Sequence, residues 1–305
     1  MERSAELKST PRERKSYPPE FGKTGKDFTL KLKDVEIPLG KKTLVMGVLN
    51  VTPDSFYNGG RYLSPDSALR QAQKMIEEGA DMIDVGGEST RPGADHISEE
   101  EELKRTVPVI RELAKRFDVP ISVDTTKLSI AERALEEGAS IINDLSGLKF
   151  EPRIAQVAAQ KRAALILMHT PSHPYDMQEK THYNSLIDDI IESLKKSITQ
   201  AQEAGVSPES IVVDPGFGFG KTTEQNLSLL KHLREFRILG KPILIGTSRK
   251  SFIGKVLGLN VEDRLFGTAA TVALGIMNGA HIVRVHDVLF MKEVARMTDA
   301  VVNAN

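Results

Sequence analysis

The stretch "EEGADMIDV" (residues 77–85) is echoed three times along the chain, as "EEGASIIND" (136–144), "AGVSPESIVVD" (204–214) and "NGAHIVRV" (278–285). Each copy places a glycine where a helix C-cap is expected, then runs into a short β-branched strand. A helix-to-strand joint repeated in this way is the mark of a βαβ chain. Working outward from the joints, strand-like runs fall at 43–50, 81–87, 120–126, 140–147, 164–170, 210–216, 242–248 and 281–287. Helix-like segments lie between them, among them 64–78, 99–116, 127–137, 184–204, 262–278 and 287–303. Pro120 and Pro242 stand at the first residue of their runs, where a missing N–H does little harm. About eight strand–helix units predict a single (β/α)8 TIM barrel over residues 28–305, with a doubly wound open sheet as the alternative architecture. The absence of any linker or shift in composition favours the closed barrel. Residues 1–27 are polar and broken by proline, and read as a flexible N-terminal extension.

Bulk composition excludes several kinds of function. Lys and Arg number 41 against 42 Asp and Glu, a formal net charge of -1. That balance gives no support for a nucleic-acid partner. Cysteine is absent, so disulfides, thiolate metal sites and thiol nucleophiles are excluded, which fits a reducing cytoplasm. No apolar run approaches ~18 residues and no signal-peptide core opens the chain, so neither membrane span nor export is indicated.

The informative bias is positional. Asn50 ends the first run, Glu88 and Thr90 follow the second, Asp124 ends the third, and Asn143 and Asp144 end the fourth. His169 ends the fifth, Asp214 the sixth, Ser248 through Lys250 the seventh, and Arg284 with His286 the eighth. In a barrel these positions share the C-terminal rim, where active sites of this fold lie. One Asp after a strand is usually a helix cap. A polar group after every strand predicts a binding rim.

Within "HIVRVHDV" (281–288), strand alternation turns Ile282, Arg284 and His286 to one face and Val283, Val285 and Asp287 to the other. An inward guanidinium beside an imidazole is costly unless an anion meets them. Lys250, Arg284 and His286 come from the last two strands, where such barrels often hold a phosphate. Asn50 is adjacent once the barrel closes, and an oxygen ligand beside a phosphate suits Mg2+. Asp124 and Asp214, with Asn143 between them, suit a flat ring with a 2-amino-pyrimidinone edge, because a carboxylate accepts two parallel N–H bonds. The expected rim therefore holds cations on one side and carboxylates on the other.

Other features carry less. "GFGFGKTT" (216–223) resembles a P-loop but is one residue short between Gly216 and Gly220, so its glycines are expected to let the backbone approach a ligand while Phe219 forms a wall. His169 reads as a structural histidine. The segments 50–62 and 86–98 are long for βα connections and read as substrate-closing loops.

The blocks "MGVLNVTPDSF" (46–56), "DVGGESTRPGA" (84–94), "SVDTTK" (122–127), "INDLSG" (142–147), "DPGFGFGKT" (214–222), "GTSRKSFIG" (246–254) and "RVHDV" (284–288) together closely resemble the dihydropteroate synthases, the folate-pathway enzymes that sulfonamides inhibit. The resemblance spans residues 28–303 and implies a (β/α)8 barrel, a homodimer, and the small-molecule substrates (7,8-dihydropterin-6-yl)methyl diphosphate and 4-aminobenzoate. It implies that Asn50 ligates Mg2+, that Arg284 and His286 hold the diphosphate as two cations, and that Thr90 touches it. Asp124, Asn143, Asp214 and Lys250 would bind the pterin edge, walled by Met168 and Phe219. The aminobenzoate subsite maps to Phe56, Arg91, Pro92, Phe219, Lys250 and Ser251. Chemistry would fall to Asp124, Lys250, Arg284 and His286, with C–O cleavage preceding attack by the aniline nitrogen. The loop after His169, "TPSHPYDMQ", lacks the glycine many members carry there, so its conformation is expected to differ. A methyltetrahydrofolate methyltransferase serving a corrinoid protein would use the same barrel and pterin site, but needs no diphosphate cradle. A pterin-binding barrel without turnover is the non-enzymatic alternative, set against the complete charged set.

Overall fold

The repeated joint behaves as its sequence requires. Gly79, Gly138, Gly205 and Gly279 all take positive φ, between 96° and 110°, and each leads within a few residues into a strand. In this computed structural model, which describes residues 28–33, 35–52, 65–89 and 96–304, the elements run in alternation. They are β1 (Phe28–Lys31), β2 (Glu36–Leu39), β3 (Leu44–Asn50), α1 (Pro65–Glu77), β4 (Met82–Gly86), α2 (Glu99–Arg116), β5 (Ile121–Asp124), α3 (Leu128–Glu136), β6 (Ile141–Asp144) and α4 (Ile154–Lys161). After these come β7 (Ala164–Met168), α5 (Leu186–Glu203), β8 (Ile211–Asp214), α6 (Thr223–Lys231), β9 (Leu244–Ile245), α7 (Ser251–Leu257), α8 (Leu265–Met277), β10 (Ile282–Val285) and α9 (Val288–Val302). The extension 1–27 lies outside the described residues, as do Phe56, Thr90, Arg91, Pro92 and most of the loop over 50–62.

The strands from β3 onward form one parallel sheet in the order β8-β7-β6-β5-β4-β3-β10-β9. A parallel bridge between Val213 and Ile243, with the Val213 N–H donating to the Pro242 carbonyl at 3.0 Å, joins β8 back to β9. The sheet is thus a barrel and not the open doubly wound alternative. Strand alternation sorts the side chains. Ile83, Val85, Val123, Ile142, Val283 and Val285 point outward into the layer shared with the helices. Met46, Met82, Ile141, Ile166, Val212, Leu244 and Ile282 point inward and fill the lower half of the barrel. Each such side chain, fully removed from water, contributes roughly 1.5–3 kcal/mol.

Two features differ from the expectation. The antiparallel pair β1–β2 was not legible as a hairpin; Leu30, Leu32 and Leu39 pack onto the inward layer and plug the end of the barrel opposite the rim. The seventh run shrinks to the two residues of β9. Beyond it the chain leaves the sheet, Arg249 takes a left-handed φ of 55°, and its guanidinium grips Asp287 at 2.8 and 2.7 Å. That exit delivers Ser248 and Lys250 to the rim, with Lys250 at the N-cap of α7.

Candidate active site

The anion that meets Arg284 is part of the protein itself. Arg284 Nε donates to Asp84 Oδ2 at 2.6 Å, and Nη2 donates to Asp124 Oδ2 at 2.8 Å. Asn143 Nδ2 donates to the same Asp84 oxygen at 3.0 Å. The three strand tips β4, β5 and β6 are thereby tied to β10 across the mouth of the barrel. Burial works against the Arg284 charge, but Asp84 and Asp124 outweigh it and hold the guanidinium above its ordinary pKa. Burial pushes Asp124 up to about 7; Arg284 opposes this, while Asp84 and Glu102 add to it.

Lys250 and Asp214 stand beside this group. Lys250 is drawn down to about 8 by burial and by Arg284, with Asp214 and Asp124 opposing. Its ammonium sits 4.1 Å from the centroid of the Phe219 ring, a cation–π contact. Phe219 packs in one apolar cluster with Met168, Leu145 and Met177. Asp214 is pushed up to about 6 by burial, although Gly216 N–H donates to its Oδ1 at 2.8 Å.

The loop after β8 is held from behind. Lys221 turns inward, donating to the carbonyls of Gly216 at 2.9 Å and Phe219 at 3.0 Å, with His169 Nδ1 at 3.2 Å. Burial pulls the Lys221 ammonium down to about 7, with Asp214 opposing, and its nitrogen faces His169 Nδ1. Burial and the lysine keep this imidazole neutral. The loop is so tight that a Cβ on Gly216, whose φ is 76°, would fall 1.9 Å from the His169 carbonyl oxygen. The lysine of the P-loop look-alike is therefore an internal strut, and Thr222 after it caps α6 in a capping box with Gln225.

His286 departs from the expected role of a cation. Burial and the neighbouring Arg284 and Lys250 push its pKa down to about 3, so it is neutral. Its Nδ1 lies 2.9 Å from Ser248 Oγ. The expected division into a cationic side and an acidic side is also corrected: Arg284 lies directly on two carboxylates, because neither sign could be buried alone. Two rim candidates fall away from the cluster. Asp144 turns into its own loop to accept from Ser146 N and Leu148 N, and Glu88 pairs with Lys127 at 3.0 Å. Asn50 and Asp124 flank Gly86 in register, and Ser251 is exposed at the start of α7.

Three functional-looking residues escaped the sequence reading. Lys127 donates to Glu88, Glu102 and the Ile97 carbonyl, tying together both ends of the loop between β4 and α2. Lys221 supports the β8 loop. Asp84 is wholly buried. Strand alternation marks Asp84 as it marks Arg284: in "MIDVG" it shares the inward face with Met82 and Gly86.

Comparison with known proteins gives the family. Residues 46–286 match the family of pterin binding enzymes. The chain is similar to a dihydropteroate synthase of Bacillus subtilis, 51% identical over 263 residues, which are 86% of this chain and 90% of that protein. It is similar in fold to the dihydropteroate synthase of Yersinia pestis solved with a sulfonamide drug complex, at a TM-score of 0.87 and 42% identity over 91% of this chain and 100% of that one. A dihydropteroate synthase of Clostridium difficile solved in the presence of pteroic acid superposes at a TM-score of 0.81 and 48% identity, over 86% and 98% of the two chains.

Proposed function

Since the chain belongs to the pterin binding enzymes, and among them to the dihydropteroate synthases, we propose that its rim condenses (7,8-dihydropterin-6-yl)methyl diphosphate with 4-aminobenzoate, giving 7,8-dihydropteroate and diphosphate. The observation that carries this reading is the meeting of Arg284, Lys250, Asp124, Asp214 and Asn143 at one end of one barrel. Pteroic acid, in whose presence the Clostridium difficile relative was solved, is a pterin joined to an aminobenzoate, the skeleton this reaction makes. Sulfonamides, found on the Yersinia pestis relative, would compete for the 4-aminobenzoate subsite.

Asp214 and Asn143 read the amino-pyrimidinone edge of the pterin, with Met168 and Phe219 as walls. Arg284 and Lys250 attract the diphosphate, and neutral His286 offers it an N–H donor. As the bond from the methylene carbon to the diphosphate oxygen breaks, its electron pair leaves with the diphosphate. The positive charge left on the methylene spreads into the electron-rich ring, beside Asp124. The aniline nitrogen then attacks, and its proton passes to the departed diphosphate or to water; the anilinium is acidic enough to need no strong general base.

Mg2+ fits the donors present. Among the described residues no three His, Asp or Glu side chains gather as a metal cage. Asn50 Oδ1 and Asp124 Oδ2 each stand 3.7 Å from the point a Cβ on Gly86 would occupy, so two hard oxygens, the second accepting from Arg284, lie beside one glycine. Few protein oxygens beside a substrate phosphate suit this ion, and Asn50 would hold it. When bound, it neutralises charge on the departing diphosphate.

A homodimer in a reducing cytoplasm completes the proposal. It is supported by the apolar side chains left outside on α7, α8 and α9, including Val256, Leu257, Phe266, Leu274, Phe290 and Met297, with Phe266 84% exposed. The absence of cysteine suits the compartment, and among the described residues no helix is long and apolar enough to cross a membrane. The experiment that tests the activity is a turnover assay with the pterin diphosphate, 4-aminobenzoate and Mg2+. Diphosphate release dependent on both organic substrates is expected; release that ignores 4-aminobenzoate, or none, overturns it.

A further inference from the structure

A buried carboxylate with one job on each side explains how the rim is set before substrate arrives. Asp84 is 0% exposed, and its Oδ2 accepts both from Arg284 Nε at 2.6 Å and from Asn143 Nδ2 at 3.0 Å. The oxygen that already accepts from Arg284 Nε offers Asn143 only a lone pair. The Asn143 amide therefore cannot turn its oxygen toward Asp84 without placing two acceptors face to face. One N–H of its NH2 is committed inward, and its Oδ1 is turned to the ligand. The same anion fixes Arg284: with Nε on Asp84 and Nη2 on Asp124, Nη1 makes no hydrogen bond among the described residues and is the nitrogen left to the pocket.

We propose that Asp84 is a positioning and specificity-determining residue, the buried anion that makes Asn143 present an acceptor to the pterin and Arg284 present Nη1 to the diphosphate. This deepens the reading of the site as a pterin diphosphate pocket and rests on it. The ligand atom facing Asn143 Oδ1 must then carry an N–H donor, and a ring with an acceptor opposite that oxygen is refused by lone-pair repulsion. Binding energy comes from two strands that Asp84 joins without touching substrate itself. A neutral carboxamide at 84 can offer an NH2 where the carboxylate offers only oxygen, so the Asn143 amide would no longer be fixed, and Asp124 alone would supply anionic charge to Arg284.

The test is steady-state kinetics on Asp84→Asn, with Ser122→Ala as the control. Ser122 opposes Asp84 in register, is equally buried, and has an Oγ without a hydrogen-bond partner among the described residues. Asp84→Asn is expected to raise KM for the pterin diphosphate at least tenfold while KM for 4-aminobenzoate stays within twofold, and Ser122→Ala to leave both within twofold. A pterin diphosphate KM unchanged in Asp84→Asn, or both KM values rising together, overturns the proposal. Should Asp84→Asn not fold, the wild-type chain labelled with 15N at asparagine carries the question, its Asn143 side-chain signal assigned by loss in Asn143→Ala. Slow hydrogen exchange of that NH2 in the free protein is expected, and free exchange overturns the proposal. Wild-type chain that binds the pterin diphosphate with no turnover would instead count against the proposed activity, while the exchange measurement still judges Asp84.

Discussion

Asp214 ends β8 at 5% exposure, and burial has lifted its carboxyl from 3.8 to about 6. An acid whose pKa rises on folding binds its proton more tightly in the folded state, so stability is lost as pH climbs from about 4 to about 6 and the deficit persists above that. Asp214→Asn, which keeps an oxygen for the Gly216 N–H, should therefore be more stable than wild type at pH 7.5, by up to about 2–3 kcal/mol, with the gain fading toward pH 4. Denaturant melts at the two pH values check this, and the same variant should lose pterin affinity. Activity follows from the neighbours. Asp124, near 7, must ionise and Lys250, near 8, must stay protonated, so kcat/KM for the pterin diphosphate should rise through pH 6–7 and fall above about 8. Lys250→Arg should move the alkaline limb upward, at a lower maximum, because a guanidinium stays charged. A pH profile of both enzymes decides it.

At the scale of elements, the loop from Asp214 to Lys221 is the least tolerant piece of the site. Gly216→Ala would bring a Cβ against a backbone carbonyl at a φ of 76°, and neither the strain nor the contact can be relieved by a side chain turning away. A loss of about 2–4 kcal/mol is expected, with weaker pterin binding as Phe219 and Asp214 shift; thermal melts and pterin titration measure the two. Much at this scale was readable in advance. Residues 99–116 were expected as a helix and α2 occupies them, because Ser98 caps its start, four glutamates fill its first turn, and Lys115 and Arg116 close its last. The connector glycines marked every joint they were expected to mark. The β1–β2 hairpin was not readable, since strands of four residues carry too little alternation to stand out. Nor was the shortening of β9, beyond which the chain runs to the Arg249–Asp287 pair, 38 residues apart in sequence.

For the whole molecule, the position of the rim followed from counting strand ends, but its electrostatics did not. Sequence order placed Lys250, Arg284 and His286 together, and they are together. Only three-dimensional neighbours reveal that Arg284 rests on Asp84 and that burial strips His286 of its charge. Partner choice also lives at this scale. Phe266 lies on α8 with its ring turned to solvent, and Phe266→Asp should dissociate the proposed homodimer without changing the fold. Sedimentation at micromolar concentration reads the outcome, and a wild-type chain that sediments as a monomer would remove the dimer from the proposal. The single bridge joining Val213 to Ile243 has a consequence of its own. Every other stave of the cylinder is laced to its neighbours along a ladder, so this join is where the wall gives first. Asp214 and Lys250 stand on its two banks, and a widening there would spread the throat beneath the ring it grips. The hold on the pterin is thereby tied to the weakest stitch in the wall.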